Sequence, residues 1–285
     1  MKIKKENIVL VPTDFSEVAN YAIDHAAGIA KLLGGKVTLL HVINKDTKAY
    51  LKKENLSDDT INDKLKAIAS LVENKYSVKL DYIAEEGSIF TTIAKVTNDI
   101  NAKIIVMGTH GKIGVQHLVG SFALKVIESS PVPVIVVQEK DFGKGYKNIL
   151  LPVDESPESK QKVNWAIHIA KIFNSTIHIY NVQHSDQFLS DEVDRNVAQI
   201  KKFLKESNVQ FDVYDCHNSK SNLCKDVMAY ADHIKPDLIM IMTNPAQLMP
   251  SFIISSWAEH VIFNSSKIPT MCINPVDFGI TYIGN

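Results

Sequence analysis

Residues 103–137 read KIIVMGTHGKIGVQHLVGSFALKVIESSPVPVIVV, and their pattern decides the fold. Ile104-Ile105-Val106-Met107 is a short apolar run of the length of a buried strand. Gly108-Thr109-His110-Gly111-Lys112-Ile113-Gly114 follows, with three glycines in seven residues. Gly120-Ser121 then opens a helical stretch to about Ser130. Pro131-Val132-Pro133 breaks it, and Val134-Ile135-Val136-Val137 is a second apolar strand. A glycine loop between a strand and a helix N-terminus suits an anion. Glycines let backbone N–H groups approach a phosphate, and the first helical turn offers unpaired donors at the positive end of its dipole. The same glycines would equally serve a tight turn that needs positive φ angles. At this point both readings stand.

Outward from this stretch, strands and helices alternate in both directions. Ile8 to Pro12 is a first strand, and a helix starts at Asp14 to Ser16, runs to about Leu33 and ends at Gly34-Gly35. Val37 to Ile43 is the second strand, and the polar stretch Asn44 to Leu56 reads as an exposed connection. Ser57 to about Tyr76 is a helix and Val78 to Ala84 a third strand. Gly87-Ser88 opens a helix to about Ile100. Such alternation implies βαβ crossovers and a parallel sheet covered on both faces.

The pattern then repeats. Asn148-Ile149-Leu150-Leu151-Pro152-Val153-Asp154 echoes Asn7 to Asp14, and Ser156-Pro157 reads as a helix start. From Asp154 to Val182 is 28 positions, as from Asp14 to Val42. Strands over Thr176 to Val182, Gln210 to Tyr214 and Leu238 to Ile241 alternate with helices over Asp186 to Ser207, Lys220 to Ile234 and Ser251 to Asn264. Ile268-Pro269-Thr270-Met271-Cys272-Ile273 mirrors Val132 to Val137. Two α/β units are therefore expected, residues 1–140 and 147–275, with a tail at 276–285. The uncharged strands Val132 to Val137 and Ile268 to Ile273 would be bare sheet edges, so the two units are expected to pack through them.

Composition narrows the function. The 285 residues are 45% hydrophobic and 22% charged, with a net charge of −1. Nothing in that balance draws nucleic acid or an acidic membrane surface. The three cysteines, Cys216, Cys224 and Cys272, form neither a disulfide framework nor a paired metal knuckle. With no secretory leader and no apolar run of about 20 residues, a soluble, cytoplasmic protein is expected.

Val11-Pro12-Thr13-Asp14-Phe15-Ser16, Leu39-Leu40-His41-Val42, Met107-Gly108-Thr109-His110-Gly111, Gly120-Ser121 and Val132-Pro133-Val134 together resemble the universal stress protein family. The likeness covers nearly all of both halves, so the chain resembles a tandem member. It implies two Rossmann-like five-stranded parallel sheets of order 3-2-1-4-5, and an adenine-nucleotide site in the first. By this resemblance Pro12, Thr13, Asp14 and Val42 bracket adenine and ribose. Gly108, Gly111, Gly120 and Ser121 hold phosphates, and Met107, His110 and Phe122 complete the set of contacts. The ligand would be ATP, ADP or AMP, with Mg2+ entering only with a triphosphate. One spacing departs from the family. Gly111 and Gly120 are separated by eight residues where ATP-binding members have nine, which shortens the loop over the phosphates.

Plain readings stand beside these. Asp14 precedes Glu17 by three, which resembles a capping box. His110 has no second ligand at metal spacing and reads as a phosphate contact or surface residue. His117, Lys112 and Lys125 read as solvent-facing. Phe252 and Trp257 read as a packed helix face. No residue from Asp212 to Phe278 is glycine, so the second half is expected not to bind phosphates. The leading function is a stress-response regulator binding an adenine nucleotide in its first half. The alternative is a non-catalytic interaction protein without ligand, and a further homodimer is compatible with either. An ATPase or adenylyl-transfer enzyme ranks below both, because no Gly-x4-Gly-Lys-[Ser/Thr] loop and no positioned base are present.

Overall fold

A computed structural model describes residues 6–57, 59–109, 118–182, 184, 186–215, 223–243 and 256–276. In the first half β1 (Ile8–Pro12), β2 (Lys36–Ile43), β3 (Leu80–Glu86), β4 (Ile104–Gly108) and β5 (Val134–Val137) alternate with helices. These are α1 (Glu17–Leu33), α2 (Lys45–Lys53), α3 (Asp59–Tyr76), α4 (Ile89–Asp99) and α5 (Leu118–Ser129). In the second half β6 (Asn148–Val153), β7 (Thr176–Asn181), β8 (Gln210–Asp215), β9 (Leu238–Met242) and β10 (Thr270–Ile273) alternate with α6 (Val163–Phe173), α7 (Gln187–Glu206), α8 (Leu223–Ile234) and α9 (Ser256–Ile262).

The strands lie in the order β3-β2-β1-β4-β5-β10-β9-β6-β7-β8, so each half has the order 3-2-1-4-5. Pairing within each half is parallel. Between the halves β10 and β5 run antiparallel, with Thr270 opposite Val136 and Cys272 opposite Val134. Two five-stranded sheets thus meet edge to edge as one.

Strand alternation builds two cores. Val9, Val11, Leu39, Ile104 and Val106 point to the face covered by α1 and α3, a core that continues through Leu151 and Ile179 to α6 and α7. Leu10, Leu40, Ile105 and Met107 point to the face of α4 and α5, continuing to α8 and α9. α1 packs closely because half of its buried residues are alanine: Ala19, Ala22, Ala26, Ala27 and Ala30. Gly34 ends it in the left-handed region at φ 59°, with the Gly35 N–H donating to the Ala30 carbonyl at 2.9 Å.

The strap between the halves is tied down rather than loose. His25 on α1 donates from Nε2 to the Lys140 carbonyl at 2.9 Å and accepts at Nδ1 from the Tyr146 hydroxyl at 2.8 Å. Burial pushes the His25 pKa down to about 4, which keeps it neutral and able to accept at Nδ1. Phe142 lies over Gly28, where an added Cβ would stand 2.0 Å from Phe142 Cε1.

Three local expectations need correction. The stretch from Asn44 is not a plain connection: Asn44 Oδ1 accepts from the Thr47 N–H at 2.9 Å and caps α2, which buries Leu51. Asp14 does not form a capping box with Glu17. Ser16 is the cap, accepting from the Ala19 N–H at 3.3 Å. Ser156-Pro157 opens only a single 3-10 turn, Pro157–Lys160, and α6 begins at Val163. Among the described residues no helix is long and apolar enough to cross a membrane.

Candidate functional site

β1 lies between β2 and β4, so the order of the first sheet reverses there and the carboxyl ends of β1 and β4 part. The crevice is a cleft of about 640 Å³, a volume in the range of small-molecule sites. Its two walls follow from strand alternation. Val42 and Met107 face α4 and α5, and with Ile89, Ile93, Phe122 and Ala123 they form an apolar wall. His41 is one residue out of phase with Val42 and emerges on the other side, among Thr13, Phe15, Thr47, Tyr50 and Lys64.

The polar wall is tightly specified. The Thr13 N–H donates to the Leu40 carbonyl at 2.8 Å, extending the ladder between β1 and β2 by one residue. His41 Nδ1 lies 2.8 Å from the Thr13 carbonyl, which can only accept, so Nδ1 carries the proton. Burial, opposed by that hydrogen bond, lowers the His41 pKa. The neutral ring then accepts at Nε2 from the Thr47 hydroxyl at 3.1 Å, and this joins the cleft floor to α2.

Phe15 stacks on His41 with centroids 4.6 Å apart and planes 23° from parallel. Its φ of 64° is rare for a bulky side chain. Two side-chain turns hold it there: the Phe15 N–H donates to Thr13 Oγ1 at 3.1 Å, and the Ser16 N–H to Asp14 Oδ1 at 3.0 Å. Asp14 is exposed and lines the cleft. A strained residue held by its neighbours at the mouth of a cleft is a mark of a functional loop.

Gly108 has a reason of its own. A Cβ added there would stand 2.6 Å from the Val18 carbonyl oxygen and 2.8 Å from its carbon. Glycine at this position lets the first turn of α1 pack against the end of β4. Its conformation is not the left-handed one that a tight turn requires.

Of the residues singled out in the sequence, Pro12, Thr13, Asp14, Val42, Met107, Gly108 and Phe122 line this single cleft. Gly120 and Ser121 lie in the first turn of α5. His110 and Gly111 are outside the described residues. The sequence reading missed Phe15, His41, Thr47, Tyr50 and Lys64 as cleft residues. Phe15 and His41 stand inside the stretches that carried the family likeness, but nothing in them distinguishes a wall residue from a packed one. The Asn44–Thr47 spacing was the available signal for α2.

The second half presents a different crevice. Met242 closes β9 where Gly108 closes β4, and it is buried. Lys162 stands eight residues after Asp154, as Ala22 stands eight after Asp14. It is buried, donates to Ser159 Oγ at 3.1 Å, and burial pushes its pKa down to about 8 against the opposing charge of Asp154. Asn181 takes the place of His41 and donates through Nδ2 to Asp194 at 3.1 Å and Asp215 at 2.9 Å. Asp154 Oδ1 is engaged locally, by the Ser156 N–H at 3.1 Å and hydroxyl at 2.6 Å. Among the described residues no group of acidic, histidine or cysteine side chains in either half is arranged to hold a metal ion.

A universal stress protein of Methanocaldococcus jannaschii is 31% identical over 156 residues, which is 47% of this chain and 95% of that one. A second from the same organism is 31% identical over 139 residues, 46% of this chain and 81% of that one. The crystal structure of a universal stress protein from Archaeoglobus fulgidus covers 95% of this chain and 99% of its own at a TM-score of 0.74 and 21% identity, a likeness of fold. The model of the universal stress protein family matches residues 7–138 and again 145–274. The chain therefore belongs to the universal stress protein family and carries its domain twice.

Proposed function

We propose that the first half binds an adenine nucleotide in the cleft between β1 and β4, that the second half binds none, and that the protein is a nucleotide-responsive stress regulator. The observation that carries this is the division of the cleft into two walls. An apolar wall of Val42, Met107 and Phe122 suits a purine ring, and Asp14 on the opposite side suits ribose hydroxyls. The N-terminus of α5, with Gly120 and Ser121 in its first turn, supports the phosphates. The second half lends its edge strand β10 to β5 and covers the apolar edge of the first sheet. In the second half Met242 is buried at the end of β9 and Lys162 is buried beside Ser159.

Calorimetric titration of the full chain with adenosine, AMP, ADP and ATP tests the reading. One site per chain is expected, weakened by Asp14→Ala. Two sites per chain, one of them abolished by Asp154→Ala, would refute the division of labour. No heat with any of the four would refute nucleotide binding and leave a ligand-free interaction protein.

A further inference from the structure

Lys64 rises from α3 into the polar wall of the cleft. Its Nζ lies 5.6 Å from the centroid of Phe15 and 5.0 Å from that of Tyr50, and donates to the Tyr50 hydroxyl at 3.3 Å. Among the described residues it is the one lysine or arginine lining the cleft, and no described carboxylate lies within ion-pair distance of it. Other lysines of the first half do find carboxylates: Lys48 meets Glu86, Lys75 meets Asp24 and Lys95 meets Glu85. Two aromatic rings hold Lys64 by their faces, which fixes a flexible side chain without an ion pair.

Its position relative to Asp14 gives that charge a use. The two act on the same ring from opposite sides of the balance: Asp14 favours protonation of His41, and Lys64 opposes it. Both line the cleft beside Phe15: Asp14 precedes it in the chain, and Lys64 Nζ lies 5.6 Å from its ring centroid. The α5 N-terminus stands on the other face of the sheet, where α5 packs with α4. A phosphate held there leaves Lys64 unmatched.

We infer that Lys64 is a second anion contact, and that the cleft favours adenine nucleotides bearing a phosphate on the 2′/3′ side of the ribose as well as at the 5′ position. The inference rests on the nucleotide reading above and assigns its specificity. A half-buried ammonium meeting a phosphate oxygen is worth about tenfold in affinity.

The test is calorimetry on the full chain at one fixed ionic strength, with AMP and adenosine 3′,5′-bisphosphate as the probes. Wild type should bind the bisphosphate about tenfold more tightly. Lys64→Gln should erase that advantage while leaving AMP within about twofold, and Lys64→Arg should keep it. Lys64 is only partly buried, so the variants should melt as wild type does. Equal affinity of wild type for the two probes would overturn the inference while leaving the nucleotide reading intact. So would a Lys64→Gln variant that weakens both alike or keeps the full advantage. Binding of neither probe by wild type would overturn both.

Discussion

Replacing Gly108 by alanine separates two reasons for a glycine at the head of the cleft. The added methyl would stand 2.6 Å from the Val18 carbonyl oxygen and 2.8 Å from its carbon, with Ala19 N at 3.0 Å. All three are backbone atoms at the start of α1, so relief requires the helix itself to shift. Overpacking of this kind costs about 1–3 kcal/mol. Gly108 is not in the left-handed region, so alanine also restricts the unfolded chain, which returns about 0.4–1 kcal/mol. Because the close contacts are with backbone, a net loss of about 1–2 kcal/mol follows, which corresponds to a fall in Tm of about 2–3 °C. Far-UV circular dichroism with temperature and with urea measures it. Calorimetry with AMP should show weaker binding, since the displaced turn follows directly on Asp14 and Phe15. A variant that melts at or above the wild-type temperature would refute the packing argument. One that keeps its stability but loses AMP would make Gly108 a glycine of ligand approach instead.

Two further predictions concern buried groups and stability against pH. His25 has a folded pKa of about 4 against about 6.5 when unfolded, so between those values the unfolded state binds the extra proton. The stability His25 contributes is complete above pH 6.5 and is lost as pH falls toward 4. Urea unfolding should show wild type losing up to about 3 kcal/mol more than His25→Gln across that window, and parallel curves would refute it. Lys162, at about 8 when folded against about 10.5 unfolded, carries a burial cost below pH 8 that is relieved as pH rises toward 10.5. Lys162→Met should therefore be more stable than wild type at pH 7 by about 1–3 kcal/mol and show a flatter profile from pH 8 to 10. A less stable variant would mean that the bond to Ser159 outweighs the burial of charge.

The two halves differ in how openly the sequence states their sites. Asp14 follows β1 and Gly108 ends β4, and a parallel α/β order brings those two ends together whatever lies between them. The loop reading of residues 44–56 failed because α2 is polar almost throughout. It is held by the Asn44 cap and one buried residue, Leu51, and so carries no apolar stripe. In the second half the spacing from Asp154 to Val182 was legible, yet the 3-10 turn after Ser156 was not. That turn lies against β9, whose end carries the Met242 side chain where β4 ends in glycine, and no local pattern reports a contact so distant in the chain.

The sequence by itself determined the strand and helix alternation, the repeat, the strand order through the family likeness, and the two strand ends where a ligand would sit. These depend on which residues shun water at periods of two or 3.6, and that periodicity is written locally. Only the tertiary structure decided what stands against what. It gave Gly108 a neighbour in the backbone of Val18, set Phe15 on His41, tied His41 to α2 through Thr47, and put Lys64 in the wall of the cleft. Those roles arise between elements far apart in the chain, where the chemistry of a residue depends on its neighbours in space.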